Sequence, residues 1–244
     1  MTWWPYVRLA AAALGAAAII RQATIAIVNA LAADSAWARD LPTVMTNFFS
    51  YFTILSNLSA VVALMIGGIW MLATRRRSDA EPAWLATLFV CASTYMIVTG
   101  IVYNVLLRHI PIAGISDAWT NETLHVVMPV IMLLDVLFAP RRRALPWRSL
   151  WVVVAFPIVW AIYTLVRAEF ITSPRTGTPW WYPYPFLDPH QVPGGYLGVA
   201  GYVLAIAAVI VGIGAFVVGI GRRRGRTPER IAPEPAAAQG HGIR

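Results

Sequence analysis

Two sets of polar side chains interrupt the apolar stretches of this chain, and both hold groups that can transfer acyl groups or protons. Thr46, Ser50, Thr53 and Asn57 recur at i, i+4, i+7 and i+11, a spacing that sets them on one narrow stripe of a helix. The Thr53 hydroxyl, within FFSYFTILSNL, is a candidate nucleophile. The Asn57 amide, one turn further on, is a candidate donor to a developing oxyanion. Asn121, His125, Met128, Met132 and Asp135 likewise share one face at three- and four-residue steps. His125 is the one histidine inside an apolar run, and a neutral imidazole suits a general base. Each group also has a structural reading. A threonine in a membrane helix often bonds the carbonyl four residues back, and a buried histidine or asparagine can tie two helices together.

The elements that carry these groups follow from composition. The 244 residues are 59% hydrophobic and 12% charged, where a soluble domain is about a quarter charged. Apolar runs mark six candidate spans, about 7–31, 46–73, 83–107, 119–139, 148–170 and 195–220. The reading is an all-α, polytopic bundle of six transmembrane helices over residues 1–220. All 19 basic residues are arginine, and they cluster at the ends of apolar runs, which argues against nucleic acid as a partner. Arg8, Arg75–Arg77, Arg141–Arg143 with Arg148, and Arg222–Arg224 with Arg226 and Arg230 flank alternate connections. The positive-inside rule therefore sets both termini on the cytoplasmic side of the plasma membrane. Ala30-Leu31-Ala32 resembles a signal-peptidase site, but Arg21 and Gln22 interrupt the run before it, so the first span reads as a retained helix. Residues 221–244, rich in Arg, Pro and Ala, read as a disordered basic tail near anionic headgroups.

The second and fourth spans both run from outside to inside. Thr53 and His125 then lie at a common depth, roughly 10 Å below the external interface at 1.5 Å per residue. Among the other polar groups at depth, Asn104 and Asn121 are further oxyanion candidates, Ser50 is a candidate for lining the site, and Arg21 requires a partner, for which Asp135 is a candidate. Glu122 is placed to orient the His125 ring. Arg167 is placed to reach the interface. Residues 172–194 combine six prolines with five aromatics. This composition fits an aromatic belt or an ordered cap over a cavity, with Asp188 and His190 entering from above. The single cysteine, Cys91, can form neither an internal disulfide nor a metal cluster alone. One histidine within the spans is too few for a bis-histidine haem, and no second ligand lies at metal spacing. No cofactor is expected.

Three blocks in order, FFSYFTILSN (48–57), WTNETLH (119–125) and WWYPYPFLDP (180–189), give the chain a family likeness. It resembles the androgen-induced and androgen-dependent TFPI-regulating (ADTRP-like) multipass membrane proteins and their bacterial six-helix relatives, over most of residues 40–195. The resemblance implies an intramembrane threonine hydrolase that cleaves fatty acid esters of hydroxy fatty acids. Thr53 matches the family's essential threonine. Trp119, Asn121 and His125 meet its WxNxxxH pattern, with His125 as the essential histidine, and Asp135 matches a later acidic residue. Arg21, the basic tail and the long proline loop lie outside the resemblance. It implies attack by Thr53 with His125 as base, an acyl-threonine resolved by water, and membrane lipids as surroundings and substrate. The alternative is a non-catalytic membrane protein that binds or moves a small molecule or proton along the same polar stripe.

Overall fold

A computed structural model describes residues 2–76, 79–111 and 116–225 of the chain. Arg77 and the basic tail from residue 226 onward lie outside the described residues. The described residues form helices and connections, without strands. The helices are α1 (Trp4–Ala32), α2 (Ala36–Arg39), α3 (Leu41–Ser50), α4 (Phe52–Ala73), α5 (Ala83–Val102), α6 (Ala118–Glu122), α7 (Met128–Phe138), α8 (Ser149–Ala168) and α9 (Tyr196–Arg224). One π-helical segment, Tyr103–Leu107, continues α5, and another, Thr123–Val127, joins α6 to α7. Counting these continuations, six helical stretches are long and apolar enough to cross a membrane: Trp4–Ala32, Phe52–Ala73, Ala83–Leu107, Ala118–Phe138, Ser149–Ala168 and Tyr196–Arg224. This is the architecture of a multipass membrane protein. The last helix runs through Arg222–Arg224, past residue 221, where the tail is expected to start.

Helix α5 is central and packs on α4, α7, α8 and α9, while α1 lies along α4. The α1–α4 seam is built from small residues, including Ala11, Ala12, Gly15 and Ala18 against Ala60, Ala63, Gly67 and Gly68. Small side chains let two backbones approach where lipid supplies no hydrophobic drive. A Cβ on Gly15 would stand 2.8 Å from Val61 Cγ2, so the seam has no room for one.

Expectation and structure part at Tyr51. The second span is expected to be one helix from residue 46, but Tyr51 is extended (φ −69°, ψ 125°) and divides it into α3 and α4. The four-residue stripe is therefore split, Thr46 and Ser50 on one helix, Thr53 and Asn57 on the next. The break persists because its backbone groups find partners elsewhere, as they must in lipid. Trp160 Nε1 of α8 donates to Ser50 O at 2.9 Å, and Thr53 N donates to the Tyr184 hydroxyl at 3.1 Å. Two prolines are accommodated similarly. Pro157 cannot donate to the carbonyl four residues back, and Tyr95 of α5 supplies that bond, to Val153 O at 2.9 Å. Pro129 cannot serve His125 O, and the preceding turn widens so that Met128 N bonds Thr123 O.

Asp135 closes the arginine-rich end of the bundle. It accepts from Trp4 Nε1 (2.8 Å), Arg8 Nε (2.8 Å), Arg8 Nη2 (3.1 Å) and Arg142 Nη2. Arg224 donates to Val136 O and Ala139 O at the same end, so α9 ends on the face where α1 begins. The candidate pair Arg21–Asp135 is corrected by this arrangement. Arg21 pairs instead with Asp117, at 2.8 Å. Thirteen residues of α1 separate Arg8 from Arg21, a rise of roughly 20 Å, and Asp135 and Asp117, near opposite ends of the fourth helical stretch, are partnered according to that depth.

Candidate functional site

The break at Tyr51 determines what surrounds Thr53. As the second residue of α4, Thr53 has a backbone N–H with no acceptor inside the helix. The Tyr184 hydroxyl meets both that N–H and Thr53 Oγ, each at 3.1 Å. Tyr184 comes from the proline-aromatic connection, just before a 3-10 turn over Pro185–Leu187. Its ring stacks on Phe186 (centroids 5.2 Å apart, planes at 5°) and meets Tyr51 edge-on. Thr53 and Tyr184 are both buried. Burial pushes the Tyr184 phenol up to about 12, so it keeps its proton at neutral pH.

Both residues line a cavity of about 290 Å³ between α4, α5, α8 and α9. Its other walls include Phe52, Val98, Tyr103, Ile206 and Phe186. Polar groups there are few: Thr99 is one, its hydroxyl 2.9 Å from Ser56 Oγ. Ile158 and Val211 line the cavity yet are exposed, which opens it sideways between α8 and α9. The volume is close to the lower end of ligand pockets, roughly 300–1,000 Å³. A chain-shaped apolar ligand fits such a space, with Thr53 and Tyr184 at its polar end.

His125 lies elsewhere. It lines a shallow groove of about 380 Å³ with Asn104, Pro129 and residues of α5 and α7. Its Nδ1 is 2.9 Å from Asn121 O. A carbonyl only accepts, so Nδ1 carries the proton and Nε2 holds the free lone pair of the neutral ring. The Tyr103 ring stacks on the imidazole at 4.1 Å, and Asn121 Nδ2 donates to the Tyr103 hydroxyl at 2.5 Å. Tyr103 also lines the cavity of Thr53, so one aromatic side chain touches that cavity on one side and the imidazole on the other. The hydrogen-bonding partner of Thr53 Oγ is Tyr184, not His125.

The remaining candidates hold the scaffold. Asn57 Nδ2 donates to Thr53 O (2.8 Å) and Leu124 O (3.0 Å), joining α4 to the π-helical turn that carries His125. Asn104 Nδ2 donates to Gly100 O, and its Oδ1 accepts from Arg108. Ser50 donates to Thr46 O and lies 3.1 Å from the Tyr163 hydroxyl. Glu122 pairs with Arg108 rather than orienting His125. Asp188 accepts from His190 N and Gln191 within the connection, and His190 stacks on Trp180; neither lines the cavity. Arg167 lies over Tyr163 and Trp181.

Sequence reasoning passed over Tyr184, Tyr103 and Thr99. The signal for Tyr184 was its hydroxyl in a stretch stiffened by Pro183 and Pro185. Tyr103 adjoins Asn104 at the end of a span, where a buried aromatic with a polar tip needs a partner. No family profile matches the sequence, no curated protein is significantly similar to it, and no solved structure matches its fold.

Proposed function

We propose that this chain is a plasma-membrane hydrolase of fatty acyl esters, with both termini cytoplasmic, Thr53 as nucleophile and His125 as general base. The observation that carries the reading is the position of Thr53 Oγ, at the polar end of an apolar cavity that opens sideways between two helices. An acyl chain enters through that opening and leaves its ester carbonyl at the hydroxyl. The resemblance to the threonine hydrolases points to the same two residues. In this reading Thr53 Oγ adds to the carbonyl while its proton passes to His125 Nε2. The leaving alcohol takes that proton, and water releases the fatty acid from the acyl-threonine. The Tyr103 ring stacks on His125 here, so this reading requires that ring to turn aside before His125 reaches Thr53.

The same separation favours a second reading, in which the cavity holds a lipid chain without acting on it. The deciding experiment is labelling of the purified protein with a fluorophosphonate probe, beside turnover of a 4-nitrophenyl fatty acyl ester. Labelling and turnover that are lost in both Thr53→Ala and His125→Ala support the hydrolase. Binding of the ester without an acyl-enzyme by intact mass supports the second reading, and unchanged labelling of Thr53→Ala removes the nucleophile.

A further inference from the structure

We infer that Tyr184 is a catalytic residue of this site, donating its hydroxyl to the ester carbonyl oxygen as that oxygen becomes an oxyanion. This rests on the hydrolase reading and adds a group from a part of the chain to which that reading gives no role. A tyrosine hydroxyl has one proton to give and two lone pairs to fill. Here the oxygen accepts the Thr53 N–H at 3.1 Å and lies 3.1 Å from Thr53 Oγ. When Thr53 gives its own proton to the pair, the Tyr184 proton is free for a group in the cavity. Donation into a hydroxyl oxygen polarises it and strengthens its own O–H as a donor.

Position makes the ester carbonyl the acceptor. Tyr184 and Thr53 both line the cavity, whose other walls are mostly aliphatic or aromatic. A carbonyl within bonding distance of Thr53 Oγ therefore meets the Tyr184 hydroxyl as its nearest donor. The side-chain amides first considered for this task are committed elsewhere: Asn57 to two backbone carbonyls, Asn104 to Gly100 O and Asn121 to the Tyr103 hydroxyl. The phenol, pushed up to about 12 by burial, stays protonated through the cycle and is not the base.

The step balances without a co-reactant. The Oγ–C bond forms, the carbonyl π pair moves to oxygen, and the Thr53 proton moves to His125. Tyr184 gives a hydrogen bond and keeps its proton. On collapse the pair returns, the alcohol oxygen leaves with the proton from His125, and water repeats the sequence to restore Thr53.

The test is Tyr184→Phe in the full chain, compared with wild type and Thr53→Ala on 4-nitrophenyl octanoate in lipid nanodiscs. Loss of one oxyanion donor lowers kcat by roughly 10²–10³-fold, with KM unchanged and the fluorophosphonate still reacting, more slowly. Wild-type kcat in Tyr184→Phe, with Thr53→Ala inactive, overturns the inference and leaves the Thr53 reading standing. A rise in KM alone also overturns it, making Tyr184 a binding contact. A wild type that neither labels nor turns over removes both. If Tyr184→Phe does not fold, a fluorinated tyrosine at 184 keeps the packing and acidifies the hydroxyl. The loss of kcat at high pH then moves to lower pH than in wild type, and an unmoved profile overturns the inference.

Discussion

Asp135→Leu tests the pairing that fixes the arginine-rich end of the bundle. The carboxylate accepts from Trp4, twice from Arg8 and from Arg142. Arg8 is 1% exposed, and its Cζ lies 4.1 Å from the centre of the Phe89 ring. Removing the acid leaves two buried guanidinium groups together, with Glu81 as the acidic neighbour, 3.6 Å from Arg142. Breaking a buried pair from one side costs about 3–5 kcal/mol. In a chain of this size each kcal/mol moves the Tm by about 2–4 °C, so Asp135→Leu unfolds roughly 6–20 °C below wild type. Replacing both members restores much of this, because the uncompensated charge on Arg8 goes with its partner. The assay is thermal unfolding in detergent by tryptophan fluorescence, for Asp135→Leu, Arg8→Met and the double variant. The coupling between the two changes should be about 2 kcal/mol or more. Additive effects, or a single variant within about 1 kcal/mol of wild type, would refute the claim that the two charges hold each other in the membrane.

Three further outcomes follow from the packing. Ala161 of α8 lines the cavity, so Ala161→Trp places a ring there and should reduce turnover of long-chain esters by at least tenfold, on the order of the discrimination that pocket volume provides, while acetate esters are spared; equal loss on both refutes the cavity as the acyl site. Gly15→Leu forces a side chain against Val61 and Met128 and should lower stability by about 1–3 kcal/mol, measured by the same unfolding assay. Asn57→Ala frees two buried carbonyls and should also cost about 1–3 kcal/mol, yet leave kcat per folded molecule unchanged; a large loss of kcat would return Asn57 to the chemistry.

The six crossings were legible because an apolar run of span length has few alternatives in water or lipid. The break at Tyr51 was not. FFSYFTIL contains neither Gly nor Pro and keeps a helical period, and the groups that satisfy the broken turn, Trp160 and Tyr184, lie 110 and 131 residues away. The partner of Asp135 was misjudged for a related reason: polarity marks a residue as needing a partner, but depth along two antiparallel helices selects which arginine is beside it. Thr53 and His125 stood out by residue type and by their place within apolar runs. Their separation depends on Tyr103, whose role follows from where the π-helical continuation of α5 carries its ring, a property of packing rather than of local sequence.

The divided second span has a consequence for hydration. Helix α4 alone, at 22 residues, is roughly 33 Å long, enough for a hydrocarbon core of about 30 Å. Thr53 therefore stands at the head of this helix, about 3 Å of helix rise from the break, rather than a quarter of the way along a helix over 46–73. The apolar cavity lies beside it, at the same end of the helix as the break. A hydrolase with its nucleophile there would need no proton wire or water channel through the bilayer: its second reactant would be the ordinary water of the interface.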